Sequence, residues 1–230
     1  MDWPFICNMT IEMKSNLSRT RIKICGMSEP QSVIAAIELG ADAIGMILHA
    51  DSPRTISIDQ ALQIRAVVPA FVTLVGIFVN APATVIVDTY HKVGLDLLQL
   101  HGDEDLEFAQ SLALPYVKAI RARSADQVGR DVLTFEQARA VLLDPYVQGQ
   151  HGGTGQTLNL DLWPTGTITK AKLILAGGLS PSNISQRLAA VSPYAVDLNS
   201  GIELSPGKKS LSLMTDAVRA VRIHDAQSMA

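Results

Sequence analysis

The chain has 230 residues, 47% hydrophobic and 18% charged, a composition that supports a large buried core and argues against disorder. The formal net charge is −3 with no basic runs, which disfavours nucleic acid as a partner. No stretch approaches the roughly 18 uninterrupted apolar residues of a membrane span, and two cysteines, Cys7 and Cys25, are too few for a disulfide framework or a cysteine-rich zinc site.

The opening MDWPFICNMTIEMKSNLSRT does not read as a secretory signal, which needs a basic region followed by an apolar run. A cytoplasmic protein with reduced thiols is therefore expected. Residues 1–19 are expected to form an extension outside the core, with Met13 as an alternative start, and residues 20–230 a single domain.

From Arg21 onward, short apolar runs alternate with stretches of helical period. RIKIC (21–25) reads as a strand. SEPQSVIAAIELG (28–40) reads as a helix, with Ser28 as its N-cap, Pro30 in the first turn and Gly40 past its end. Strand-like runs follow at 41–48, 72–79, 95–100, 116–120, 139–144, 172–178 and 194–201. Helices are expected at 59–68, 83–94, 103–112, 124–135, 180–190 and 207–222. LNLDLW (158–163) is a weaker helical segment after the glycine-rich loop QGQHGGTGQT (148–157).

Eight strands, each followed by a helix or helix-like segment, recur about every 25 residues, close to the repeat of a (β/α)8 TIM barrel. Runs such as LVGIFV and LILA fit a parallel sheet buried on both faces. An open doubly wound sheet, with its usual five or six strands, is the alternative.

In such a barrel the site lies at the C-terminal ends of the strands. The polar residues there are Cys25, His49 with Arg54, Asn80, His101, Arg121, Asp144, Gly177 and Gly178, and Asn199, Ser200 and Gly201. AGGLSP (176–181) is a strand, two glycines and a helix start, and Ser200 with Gly201 follows the eighth strand. Close backbone approach and free N–H groups suit a phosphate at these two turns. The short IEL segment after them suggests a small extra helix. Taken singly, each pair reads better as a tight turn; both pairs together, at these two strand ends, favour phosphate.

Cys25 ends the first strand and Asp144 the sixth, three steps round the ring, which places them across the mouth from one another. A thiol titrates close enough to neutrality to serve as a base, but a free cysteine is also a common small core residue. Asp144 reads either as an acid or as a loop anchor before Pro145. Lys23 shares a face with Cys25 and is the candidate tuner of its thiol; a buried ammonium needs a partner, for which Asp197 on the neighbouring strand is the candidate. Arg54 has the fork geometry to grip a carboxylate, or is an exposed loop arginine. His101 enters the candidate substrate-contacting set through its strand-end position. The histidines show no metal-binding spacing, and no nucleotide-hydrolysing loop motif occurs, so no metal or cofactor is expected.

Nine segments in order, KICG (23–26), GAD-IG (40–45), SPR (52–54), GIFVN (76–80), LLQLHG (97–102), LLD (142–144), GGTG (152–155), LAGGLSPSNI (175–184) and DLNSGIE-SPGKK (197–209), resemble the phosphoribosylanthranilate isomerase family. The resemblance implies a (β/α)8 barrel without cofactor, acting in tryptophan biosynthesis on a small-molecule substrate. It implies an Amadori rearrangement with Cys25 as general base, Asp144 as general acid, Arg54 at the anthranilate carboxylate and the two glycine turns at the phosphate. A monomer or homodimer is expected. Two departures stand out: MILHADSPR replaces a usual aromatic-rich run, and Asn159 stands where the family has aspartate. The rival readings are a histidine-pathway-like aminoaldose isomerase, which works with two carboxylates, and a non-catalytic sugar-phosphate-binding protein.

Overall fold

The computed structural model describes residues 19–147, 155–164 and 171–228. Eight parallel strands close into a barrel in chain order: β1 (Arg21–Ile24), β2 (Ala43–His49), β3 (Thr73–Phe78), β4 (Leu97–Leu100), β5 (Tyr116–Ala122), β6 (Ala140–Pro145), β7 (Lys172–Leu175) and β8 (Ala195–Leu198). The ring is sealed by β1 against β8, with Lys23 opposite Asp197. Strand alternation divides the apolar residues into two layers. Ile22, Ile24, Ile44 and Leu98 face the helices in the main core. Val117, Ala119, Leu142 and Ile174 fill the barrel interior, with Cys25, Ile47, Val75 and Ile77 forming a further interior cluster. Each fully buried Ile or Leu contributes roughly 1.5–3 kcal/mol.

The helices are α1 (Pro30–Glu38), α2 (Ile58–Arg65), α3 (Ala83–Val93), α4 (Leu106–Ser111), α5 (Ala125–Thr134), α6 (Ile184–Val191) and α7 (Leu211–Ser228). Local chemistry sets their ends. Ser57 and Gln60 form a capping box at α2, Asp105 and Ser124 cap α4 and α5, and Gly94 closes α3 in the left-handed region. Each such cap is worth about 1 kcal/mol.

Ser28 does not cap α1. Glu29 flanks that helix without a side-chain cap, and the Ser28 hydroxyl instead donates to the Gly207 carbonyl, tying the loop after β1 to the one after β8. The expected helix at 180–190 begins only at Ile184, because Asn183 folds residues 180–183 into a turn, accepting from Ser180 N and donating to the Gly178 carbonyl. The extra helix expected at IEL is a 3₁₀ turn at Ser200–Ile202 followed by a hairpin, β9 (Glu203–Ser205) with β10 (Lys208–Lys209). Gly207, at φ 83°, makes that turn, and α7 starts four residues later than expected. Between β6 and β7 the described residues hold only a 3₁₀ turn, Leu160–Leu162, whose Asp161 amide donates to the Asn159 side chain.

The expected extension and its alternative start at Met13, most of the glycine-rich loop at 148–157, Cys7 and His151 lie outside the described residues. Arg19 is described and binds Asp42 through two hydrogen bonds. Among the described residues no helix is long and apolar enough to cross a membrane.

Candidate active site

A pocket opens at the C-terminal ends of the strands, and Cys25 and Asp144 both line it. Cys25 follows β1 directly and is 4% exposed. One layer below, the Lys23 ammonium lies 2.8 Å from the Asp197 carboxylate, both side chains sealed from solvent. Gly45 on β2 leaves the space these groups need: a Cβ there would meet Cys25 Sγ and Lys23 Nζ. Burial works against the Lys23 ammonium, but the facing Asp197 and Cys25 outweigh it and hold its pKa above the ordinary lysine value.

Burial also pushes the Cys25 thiol up. Lys23 and Lys209 pull it down and Asp197 pushes it further up, and the balance stays above the ordinary cysteine value. This corrects the simplest form of the expectation that Lys23 tunes Cys25. Lys23 favours the thiolate, but desolvation and the Asp197 charge that neutralises Lys23 together win.

Opposite, Asp144 ends β6 and is 5% exposed. His101 after β4 places Nε2 3.3 Å from Asp144 Oδ2, and Gln99 Nε2 lies 2.8 Å from His101 Nδ1. Behind His101 a buried carboxylate organises two loops. Glu104 accepts from the amides of Asn80 and Gly102 and from Lys118 Nζ, which also donates to the Gly102 carbonyl.

Arg54 lines the pocket but is 8% exposed, because Glu203 of the hairpin takes one edge of its guanidinium. Nε lies 3.0 Å from Oε1, and Nη2 lies 2.7 Å from Oε2. Lys209 Nζ completes the group, 2.7 Å from Glu203 and 2.9 Å from Asn199 Oδ1. The Glu203 side chain is sealed from solvent, but its bonds to Arg54 and Lys209 outweigh desolvation and hold its carboxyl below the usual carboxylate range. Gly26, at φ 66°, passes beneath: a Cβ there would meet Asn199 Oδ1 and Arg54 Cδ. Nη1 of Arg54 belongs to the guanidinium edge that Glu203 leaves open.

The turns after β7 and β8 meet on the far rim. Gly177, Gly178 and Ser200 line the pocket, and both glycines have positive φ. Gly201 is not among the lining residues, contrary to the expected contact role. It lets the two turns approach, since a Cβ there would collide with the Leu179 carbonyl.

Other strand-end candidates fall away. His49 is exposed, Asn80 accepts from the Asp103 amide, and Arg121 pairs with Asp103. Glu203, Lys209 and Glu104 escaped sequence reasoning, and Gln99 was passed over, although a lone amide inside the apolar run LDLLQL is a legible signal. Asn159 caps its own 3₁₀ turn.

The family model for N-(5'phosphoribosyl)anthranilate (PRA) isomerase matches residues 22–220. The chain is similar to the N-(5'-phosphoribosyl)anthranilate isomerase of Pseudomonas fluorescens (strain SBW25), 43% identical over 206 residues covering 90% of this chain and 97% of that protein. It is 45% identical to that of Pseudomonas syringae pv. tomato over 84% of this chain and 93% of that protein. Among solved structures it is similar to the phosphoribosyl anthranilate isomerase of Thermus thermophilus, with a TM-score of 0.78 and 30% identity over 89% of this chain and 99% of that one. A phosphoribosyl anthranilate isomerase solved in complex with reduced 1-(o-carboxyphenylamino)-1-deoxyribulose 5-phosphate aligns with a TM-score of 0.75 and 31% identity over 88% of this chain and 98% of that one. The closed eight-stranded barrel, the pocket shared by a thiol and a carboxyl group, and these likenesses converge: the chain belongs to the phosphoribosylanthranilate isomerase family.

Proposed function

We propose that the chain catalyses the Amadori rearrangement of N-(5-phosphoribosyl)anthranilate to 1-(2-carboxyphenylamino)-1-deoxyribulose 5-phosphate, in tryptophan biosynthesis, as a monomer or homodimer. The observation that carries this reading is that Cys25 and Asp144 line one pocket from opposite sides of the barrel mouth. In this reading Asp144 gives a proton to the furanose ring oxygen as the C1–O bond breaks and the anilino nitrogen forms a Schiff base. Cys25, as thiolate, removes the C2 proton, and that electron pair moves toward C1 to give an enolamine. A proton then returns to C1 and the C2 hydroxyl gives one up, leaving ketone, thiolate and carboxylic acid. The hydrogen transfer is internal and the balance closes without a second reactant.

Arg54 holds the anthranilate carboxylate through the guanidinium edge that Glu203 leaves open, with the two parallel hydrogen bonds arginine forms best. The turns at Gly177, Gly178 and Ser200 receive the phosphate with backbone amides. Growth of an isomerase-deficient strain without tryptophan tests the activity. Rescue by the wild-type chain and none by Cys25→Ala is the expected result, and no rescue by a soluble, folded wild-type chain overturns the reading.

A further inference from the structure

Gln99 is 1% exposed, a primary amide set inside a barrel whose neighbouring interior residues are mostly apolar. An amide buried so deeply is held by its hydrogen bonds. Its Nε2, which can only donate, faces Nδ1 of His101 at 2.8 Å. Nδ1 therefore accepts, and a neutral imidazole that accepts at one nitrogen carries its proton on the other. That other nitrogen, Nε2, lies 3.3 Å from Asp144 Oδ2. We infer that Gln99 is a positioning residue that fixes the tautomer of His101 and so aims an N–H at one oxygen of Asp144.

The consequence rests on the reading of Asp144 as the acid. With Oδ2 occupied as an acceptor, Oδ1 is the oxygen that carries and delivers the proton. As the proton leaves for the substrate, negative charge grows on the carboxylate and the Nε2–H bond strengthens, because a hydrogen bond to an ionised acceptor is roughly twice as strong as a neutral one. The contact is thus worth more in the transition state than before it, the condition for accelerating the step. The opposite tautomer would present a lone pair to Asp144. The carboxyl proton would then be held against the imidazole, away from the substrate.

Nitrogen NMR of the full chain carrying ¹⁵N-histidine tests this, with the His101 signals assigned by their loss in His101→Asn. The expected wild-type spectrum shows His101 with a bare Nδ1 and a protonated Nε2. Gln99→Glu keeps the shape but replaces the donor with an acceptor, so a proton is expected at Nδ1. Gln99→Leu is expected to lower kcat about tenfold or more with KM unchanged, as a tautomer error in a positioned acid–base group does. A proton on Nδ1 in the wild type overturns the inference. So does a Gln99→Glu enzyme with unaltered His101 signals, the result of a purely packing role, or a Gln99→Leu enzyme changed only in KM. The nitrogen readout needs no turnover. A fully active Asp144→Asn enzyme would remove the acid assignment while leaving the tautomer result standing.

Discussion

Lys23 and Asp197 form an ion pair inside the barrel, Nζ 2.8 Å from Oδ1 across the β1–β8 seam, directly below the Cys25 thiol. The pair brings a positive charge beside the thiol but largely cancels it, and burial holds the thiol above the ordinary cysteine value. The kcat/KM profile is therefore expected to rise with pH and to level off only above the ordinary thiol range, since the base exists only as thiolate. Replacing Lys23 with Met removes a group that lowers the thiol pKa, so the rising limb moves to still higher pH. That variant also strands the Asp197 carboxylate, at a cost of about 3–5 kcal/mol, so rates belong at reduced temperature beside a melting curve. An unmoved limb in a folded Lys23→Met enzyme contradicts the coupling.

Cys25→Ala and Asp144→Ala are each expected to lower kcat by at least about 10²-fold. Both side chains are small and line a cavity, so the fold survives, checked by circular dichroism. Near-normal turnover in either variant removes that residue from the reaction.

Glu203 links Arg54 to Lys209, so two experiments separate binding from scaffolding. Arg54→Ala is expected to raise KM with a smaller effect on kcat. Glu203→Gln leaves Arg54 and Lys209 without their shared counter-charge and is expected to lower Tm at neutral pH. Its folded pKa lies below the unfolded value. Its stabilisation is thus complete above the unfolded carboxylate range and disappears as pH falls through the folded pKa. The Tm difference between wild type and Glu203→Gln should accordingly narrow on acidification. A gap that is constant from neutral to acid pH contradicts the ion-pair account.

Gly201→Ala places a methyl group against the Leu179 carbonyl and forces the two rim turns apart. Competitive inhibition by inorganic phosphate reads this directly: the inhibition constant is expected to rise by about tenfold or more, one lost charge-assisted hydrogen bond or two. Unchanged phosphate inhibition would place the anion elsewhere.

The barrel was legible because its strands are short apolar runs separated by residues with one local use each, such as Ser57, Asp105 and Gly94. Cys25 and Asp144 stood out because the fold class itself says where strand ends must converge. Less was legible where the decisive contact spans the chain. Arg54 and Glu203 lie 149 residues apart, and the segment carrying Glu203 looked helical because the turn at Gly207 and the cross-hairpin bond to Lys209 depend on tertiary pairing. The direction of the Cys25 shift was hidden for a related reason. Residue spacing showed Lys23 beside the thiol, but how much water the barrel excludes from both is a property of the closed ring.

Glu104 gathers the amides of Asn80 and Gly102, one from the loop after β3 and one from the loop after β4, onto a single carboxylate neutralised by Lys118. Freeing either amide requires breaking its bond to that carboxylate. The two loops should accordingly breathe in concert, their deuterium uptake following one opening event.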